Sequence, residues 1–263
     1  MYLDVADLRT FYELPMGQLL RGLIGQHIRC FWPDLEKQRL IGIGYAGPFM
    51  RPYLGNAERC IAAMPAQQGA VPWPREADTA SSLVLDGCLP FSDASFDRAM
   101  MVHVLDHSKD AADVLREAWR VLAPGGRVIV IVPNRRGLWA RSELSPFGYG
   151  RPYSRSQLKE LMQTCQFEVL RDEEALFMPP TRAGYILRSA TTWETIGRKL
   201  WPAFGGLLIM EAEKKVFRPV RIDGKKNPLR VLRPVFVPDG APAGLKPIRR
   251  SGADAVRVAR TSR

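Results

Sequence analysis

The stretch Leu115-Arg-Glu-Ala-Trp-Arg-Val-Leu-Ala-Pro-Gly-Gly-Arg-Val-Ile-Val-Ile-Val132 decides the fold class. Val114, Leu115, Ala118 and Leu122 recur on one face of a helix that starts near Asp110, at the spacing of an amphipathic segment. Pro124-Gly125-Gly126 stops that helix, and Arg127–Val132 follows as a fully apolar strand. A strand apolar on both sides belongs to a sheet covered on both faces. Working outward, the same alternation recurs. Arg39-Leu-Ile-Gly-Ile-Gly-Tyr-Ala-Gly-Pro48 is an apolar strand running into a glycine-rich turn, and Arg59–Met64, Ser82–Leu85 and Phe96–Val104 read as further strands. Ser154 and Gln157 have the spacing of a capping box and open a helix bearing Leu158, Leu161, Met162 and Cys165. Phe167–Leu170 and Gly206–Ala212 are the last strands. Leu19, Leu20, Leu23, Ile24, Ile28 and Phe31 predict an amphipathic helix within Phe11–Trp32, weakened at Gly17, Gly22 and Gly25 by the helix cost of glycine. Strands alternating with helices imply an α/β, doubly wound and mainly parallel sheet with helices on both faces.

Composition sets the outer limits. The chain has 263 residues, 46% hydrophobic, 25% charged and 9% aromatic, the profile of a globular chain rather than a disordered or fibrous one. No apolar run reaches the roughly 18 residues of a membrane span, and the first residues show no secretory signal pattern. Cys30, Cys60, Cys88 and Cys165 are widely spaced and match no zinc or redox motif. They are read as reduced thiols in a cytoplasmic protein. The net charge of +11 is uneven: from Arg218 onward 12 bases face three acids (+9), leaving 26 bases and 24 acids (+2) for the rest. Three regions are therefore expected: an N-terminal helical cap at 1–36, an α/β domain at 37–217, and a basic, proline-containing tail at 218–263, extended or disordered.

The order of motifs identifies a relative. Leu89-Pro-Phe-Ser-Asp-Ala-Ser-Phe-Asp97, His103-Val-Leu-Asp-His107, Leu115–Gly126 and a strand ending Val132-Pro-Asn134 follow one another at fixed spacing. The run resembles class I S-adenosylmethionine-dependent methyltransferases of the small "LPF…FD…LEH…RVLxPGG" kind, strongly over Leu40–Asn134 and more loosely through Pro146–Ser154. The resemblance implies a Rossmann-like, seven-stranded mixed sheet with S-adenosylmethionine at the carboxyl ends of the first strands. By motif position, Gly42, Gly44, Tyr45 and Ala46 form the first turn beside the methionine part of the cofactor, and Met64 lies under the ribose. Asp86, Gly87 and Cys88 hold the adenine, and His103, Val104 and His107 line the mouth. Asp86 as the cap of its own turn is an equal alternative. Asp93 and Asp97 are assigned a turn and a strand start, and no chemistry.

The sequence departs from that family pattern twice. The usual D-x-G-x-G-x-G turn reads Gly42-Ile-Gly44-Tyr-Ala46-Gly-Pro48, and the acid for the ribose hydroxyls is replaced within Ala62-Ala-Met64-Pro65. Losing a charged hydrogen bond of about 1.5–3 kcal/mol weakens binding roughly 10- to 150-fold, so the cofactor is expected to bind weakly. Gly44→Val is expected to abolish binding with the fold intact, and an acid at Met64 to restore affinity. Methyl transfer demands positioning and exclusion of water more than a universal catalytic group; His107, Tyr149 and Tyr153 are the candidates for orienting or deprotonating an acceptor. His103 and His107 have a spacing that binds zinc on a helix, but they straddle a strand end with no third ligand nearby, so no metal is expected.

The leading function is methyl transfer to an unidentified small-molecule or protein acceptor. The alternative is a catalytically impaired relative acting as a binding or regulatory partner of another protein. The tail places Val231-Leu232 and Val235-Phe-Val237 among its arginines, which suggests docking on its own body, on a second copy as a homo-oligomer, or on an acidic protein. Nucleic acid is the less favoured partner, because Phe236 is the tail's one aromatic residue and stacking platforms need more. No membrane partner is expected.

Overall fold

The computed structural model describes residues 2–74, 78–201 and 203–216. The chain divides into two units, Met1–Arg218 and Pro219–Arg263. The expectations for the basic tail lie outside the described residues. In the first unit, seven strands form one sheet: β1 Arg39–Gly44, β2 Arg59–Pro65, β3 Ser81–Val84, β4 Phe96–Val102, β5 Leu122–Pro133, β6 Phe167–Ala175 and β7 Leu207–Lys214. Their order is β3-β2-β1-β4-β5-β7-β6. The first five pair in parallel, and β7 runs antiparallel to both β5 and β6. This is the seven-stranded mixed sheet expected, and its strand order reverses between β1 and β4.

Alternating side chains feed two cores, because successive strand residues face opposite sides of a sheet. Leu40, Ala62, Met64, Met100, Val102, Ile129 and Ile131 enter one apolar cluster; Ile41, Ile43, Ala63, Met101, Val128, Val130 and Val132 enter the other. The second face is covered by α4 Ala111–Val121 and α5 Arg155–Thr164. Asp110 accepts from the amides of Ala112 and Asp113 to start α4, and the Ser154–Gln157 capping box starts α5 as expected.

The first face is covered differently. The β1–β2 crossover contains only the one-turn helix α3 Gly47–Met50 and a following 3-10 turn, and none of the described residues between Pro65 and Ser81 is helical. Two N-terminal helices fill the space: α1 Val5–Glu13 and α2 Pro15–Phe31, through Leu8, Leu20, Leu23, Ile24, Ile28 and Phe31. Each such side chain contributes about 1.5–3 kcal/mol when fully buried. The break falls at Leu14–Pro15, not at the glycines, because a residue before proline is pushed out of the helical region; Leu14 is extended at ψ 154. Gly17 lets the two helices close, since a β-carbon there would strike the Phe11 carbonyl and the Tyr12 backbone.

Other boundaries moved for local reasons. β4 stops at Val102 rather than Val104, because His103 turns into the left-handed region at φ 54. α4 ends at Val121, and Pro124–Gly126 lies inside β5 as a bulge, between the pairs Phe96–Leu122 and Arg98–Arg127. Two helices between β6 and β7, α6 Gly184–Arg188 and α7 Ala190–Leu200, were not read from the sequence.

Candidate functional site

Ligands of open parallel sheets bind outside the carboxyl ends of the strands where the order reverses, here between β1 and β4. Four connections meet there: the turn after β1, the segment after β2, Asp86–Cys88 after β3, and His103–His107 after β4. The sequence-expected residues are therefore brought to one edge of the sheet, with Tyr149 at its rim on the far side of α1. Its hydroxyl donates to the Glu143 carbonyl, and the side chain is exposed. Tyr153 is buried and spends its hydroxyl on the Leu105 carbonyl at 3.1 Å, which braces the segment after β4.

The glycines of the first turn face protein. A β-carbon on Gly42 would meet the sulfur of Met50 and the side chain of Ala46. Gly44, at φ 85, would meet the Val102 carbonyl and Val104, and Gly47 would meet the Trp73 ring at 2.8 Å. Trp73 also donates to the Gly47 carbonyl at 3.1 Å. Gly44 is thus required for a left-handed backbone pressed on β4, and Gly44→Val should damage the fold, contrary to the expectation from sequence. Met64 is buried, its sulfur 3.4 Å from the Val71 amide. An acid at this buried position would carry a desolvation cost.

The N-terminal segment lies across this edge. Tyr12 of α1 stacks on Tyr45 with ring centroids 5.7 Å apart, and its hydroxyl lies 2.8 Å from His103 Nε2. Burial raises the Tyr12 pKa well above the usual tyrosine value. Burial, and then His107, lower that of His103 to about 3, so its imidazole is neutral. The Val5 amide donates to the Gln68 carbonyl, and the Gln68 side chain donates to the His103 carbonyl. Tyr2 sits beside Asp86 and His107, and burial followed by the Asp86 carboxylate raises its pKa. Sequence reading missed Tyr2, Tyr12 and Gln68. The helix pattern was visible, but nothing local says over which edge α1 folds.

Two clefts flank α1. One of about 170 Å³ is lined by Arg9, Tyr12, Tyr45, Met64 and Trp73 among others. The other, about 320 Å³, lies between Leu3, Leu8 and Phe11 of the N-terminal segment and Leu144, Pro146 and Tyr149. A third void at Asp86, Gly87 and Val104 measures only about 10 Å³. Small-molecule sites usually enclose about 300–1,000 Å³. The edge offers polar groups to a ligand: the buried Gln68 Oε1 is an unpaired acceptor, and the Tyr2 hydroxyl lies beside the Asp86 carboxylate.

The motif residues away from the edge have structural duties. Arg120 donates to the carbonyls of Leu89 and Phe91, and pairs with Asp93 at 2.7 Å and Glu117 at 2.8 Å. Glu117 accepts from the Leu89 amide at 2.9 Å. Asp97 takes both guanidinium contacts of Arg39 and its amide. Asp93 and Asp97 hold a turn and a strand start, as expected.

Comparison with known proteins agrees with this geometry. Residues 41–130 match the family model described as a methyltransferase domain. A probable S-adenosylmethionine-dependent methyltransferase of Mycolicibacterium smegmatis is 39% identical over 83 residues, 31% of this chain and 32% of that protein. The 27-O-demethylrifamycin SV methyltransferase of Amycolatopsis mediterranei is 44% identical over 59 residues, 21% of this chain and 22% of the relative. The chain thus spans a third or less of the curated relatives it matches. Among solved structures, a methyltransferase of Thermotoga maritima, described as a possible histamine N-methyltransferase, shares the fold with a TM-score of 0.60 and 21% identity, over 80% of this chain and 96% of that one. Among the described residues, no helix is long and apolar enough to cross a membrane.

Proposed function

We propose, from the match of residues 41–130 to a methyltransferase-domain model and the likeness to a probable S-adenosylmethionine-dependent methyltransferase, that the chain is a class I methyltransferase that transfers a methyl group to a small-molecule acceptor. S-adenosylmethionine is the cofactor of that family, and it supplies an electrophilic methyl group on a sulfonium sulfur. The observation that carries the reading is convergence: the first turn, Met64, Asp86–Cys88 and His103–His107 meet at the strand-order reversal.

In this reading Tyr45, Ala46 and Met64 flank the methionine and ribose parts, and Asp86, Gly87 and Cys88 take the adenine. Val104 forms the apolar wall between them. Helix α1 divides the edge, with Arg9 and Tyr12 on the cofactor side and Leu8 and Phe11 on the other. The acceptor enters the cleft of about 320 Å³, whose apolar walls and two acids, Asp7 and Glu143, suit a small apolar molecule with hydroxyl or amino groups. His107 and Tyr153 orient the segment after β4 rather than react. Because Tyr12 closes on Tyr45 and His103, α1 shifts when the cofactor enters, and affinity is reduced by the fraction of molecules that are closed.

The test is transfer of tritiated methyl from S-adenosylmethionine into small-molecule and protein fractions of a cell extract. Label in the small-molecule fraction, dependent on the folded chain, is the expected result. Label in protein alone would overturn the acceptor class, and none beyond a heat-inactivated control would overturn the function.

A further inference from the structure

The segment after β4 holds a cluster of three side chains whose shared geometry the reading above does not explain. His103, Asp106 and His107 each bring a ligand atom to within 4.8 Å of the others, and all three are buried. The sequence showed no third ligand near the two histidines, and the structure corrects this with Asp106. Asp106 was adjacent in sequence, but only the turn after Val102 swings it between them.

The carboxylate is the anomaly. Neither oxygen of Asp106 has a hydrogen-bond partner, its side chain is 1% exposed, and His107 Nε2 lies 3.4 Å from Oδ2. That distance is beyond good hydrogen-bond range. Buried carboxylates are otherwise found paired or bound to metal. The surroundings keep the group in place: the Asp106 carbonyl accepts from the Arg151 amide at 2.7 Å, and a β-carbon at Gly150 would lie 2.6 Å from Oδ2. The second anomaly is His103. Its φ of 54 is uncommon outside glycine, and such conformations cluster at functional sites. Tyr12 engages Nε2, and Nδ1 has no partner. A bond from Nε2–H to the Tyr12 oxygen leaves the Nδ1 lone pair available. Proteins fix the tautomer of a metal-binding imidazole in this way.

We propose that His103, Asp106 and His107 form a binding site for one divalent first-row transition-metal ion, with zinc as the reference ion. Two imidazoles and one carboxylate match zinc and its neighbours, and three protein ligands leave a position open. With bonds of about 2.1 Å, tetrahedral ligands stand about 3.4 Å apart, so closure needs shifts on the order of 1 Å from the present spacing. Tyr12 then has two duties, as a ring on Tyr45 and as the partner that orients His103.

The test uses Co²⁺ with the full chain after dialysis against a chelator. One equivalent of Co²⁺ is expected to give visible ligand-field bands that one equivalent of Zn²⁺ abolishes. Asp106→Asn should weaken Co²⁺ binding at least 100-fold. Tyr12→Phe, which keeps the ring and removes the hydroxyl, should weaken it about 10- to 100-fold. If Asp106→Asn does not fold, Tyr12→Phe and the wild-type stoichiometry decide the matter. The proposal is overturned by no stoichiometric binding to the wild type, by sulfur-to-cobalt charge-transfer bands that place the ion on a cysteine, or by binding indifferent to both substitutions. None of these readings involves S-adenosylmethionine, so this site and the methyl-transfer reading fail separately.

Discussion

The first turn and the Leu89–Asn134 region carry the same family resemblance and treat it in opposite ways. In the second region, Arg120 and Glu117 of α4 hold the loop that begins at Leu89 through its backbone, and Asp97 anchors β4 to Arg39. These residues match the family because the sheet needs them, whatever the chemistry. In the first turn, the residues that would meet a cofactor have changed. The remaining glycines make room for Met50, Val102 and Trp73 instead. The matching segment whose contacts are visible is thus the one that braces the sheet, and the strength of a match says more about the fold than about the site.

Substitutions can break or sharpen that contrast. The largest effect is expected for Gly44→Val, which combines a left-handed backbone with a clash against Val102, at about 3 kcal/mol or more. A fall in denaturant midpoint checks it; a stable protein with weakened cofactor binding would restore the ligand-facing role of that glycine. Arg120→Ala should cost about 2 kcal/mol, a value discounted because the side chain is partly exposed. It should leave cofactor affinity unchanged when measured on the folded fraction. The smallest effect concerns Asp97, whose pKa is lowered by the Arg39 guanidinium. Its carboxylate is favoured in the folded state, so its contribution is present above about pH 4, the unfolded value, and is lost as pH falls through the folded one. Asp97→Asn should remove that acid-side slope, worth less than about 1 kcal/mol, in unfolding curves taken from pH 6 to pH 3.

Much of this fold was legible because its signals are local. Apolar strands such as Val128–Val132, the Asp110 and Ser154 helix starts, and the turn at Gly44 depend on near neighbours. The mixed sheet was expected from the family resemblance, and β7 supplies its antiparallel strand. What stayed illegible depends on long-range packing: the sequence reading carried one helix through Pro15, and nothing local said that α1 folds over Tyr45 and His103. Asp106 shows the same limit. Its position in the sequence was plain, yet its place between two imidazoles follows from the backbone turn at His103, which no periodicity announces. The α6–α7 insertion was missed although Trp193 and Gly197 stand on its helical face.

Calorimetric titration with S-adenosylmethionine and S-adenosylhomocysteine, on the wild type and on Tyr12→Ala, addresses the account most directly. The sheet edge is taken to be a cofactor site held closed by α1. Both ligands should therefore bind the wild type weakly. Tyr12→Ala should bind them more tightly, by about tenfold for each 1.4 kcal/mol with which the Tyr12 contacts favour closure, even as the variant loses stability. Absence of heat with either ligand in both folded proteins would contradict the account, as would affinity that falls when Tyr12 is removed.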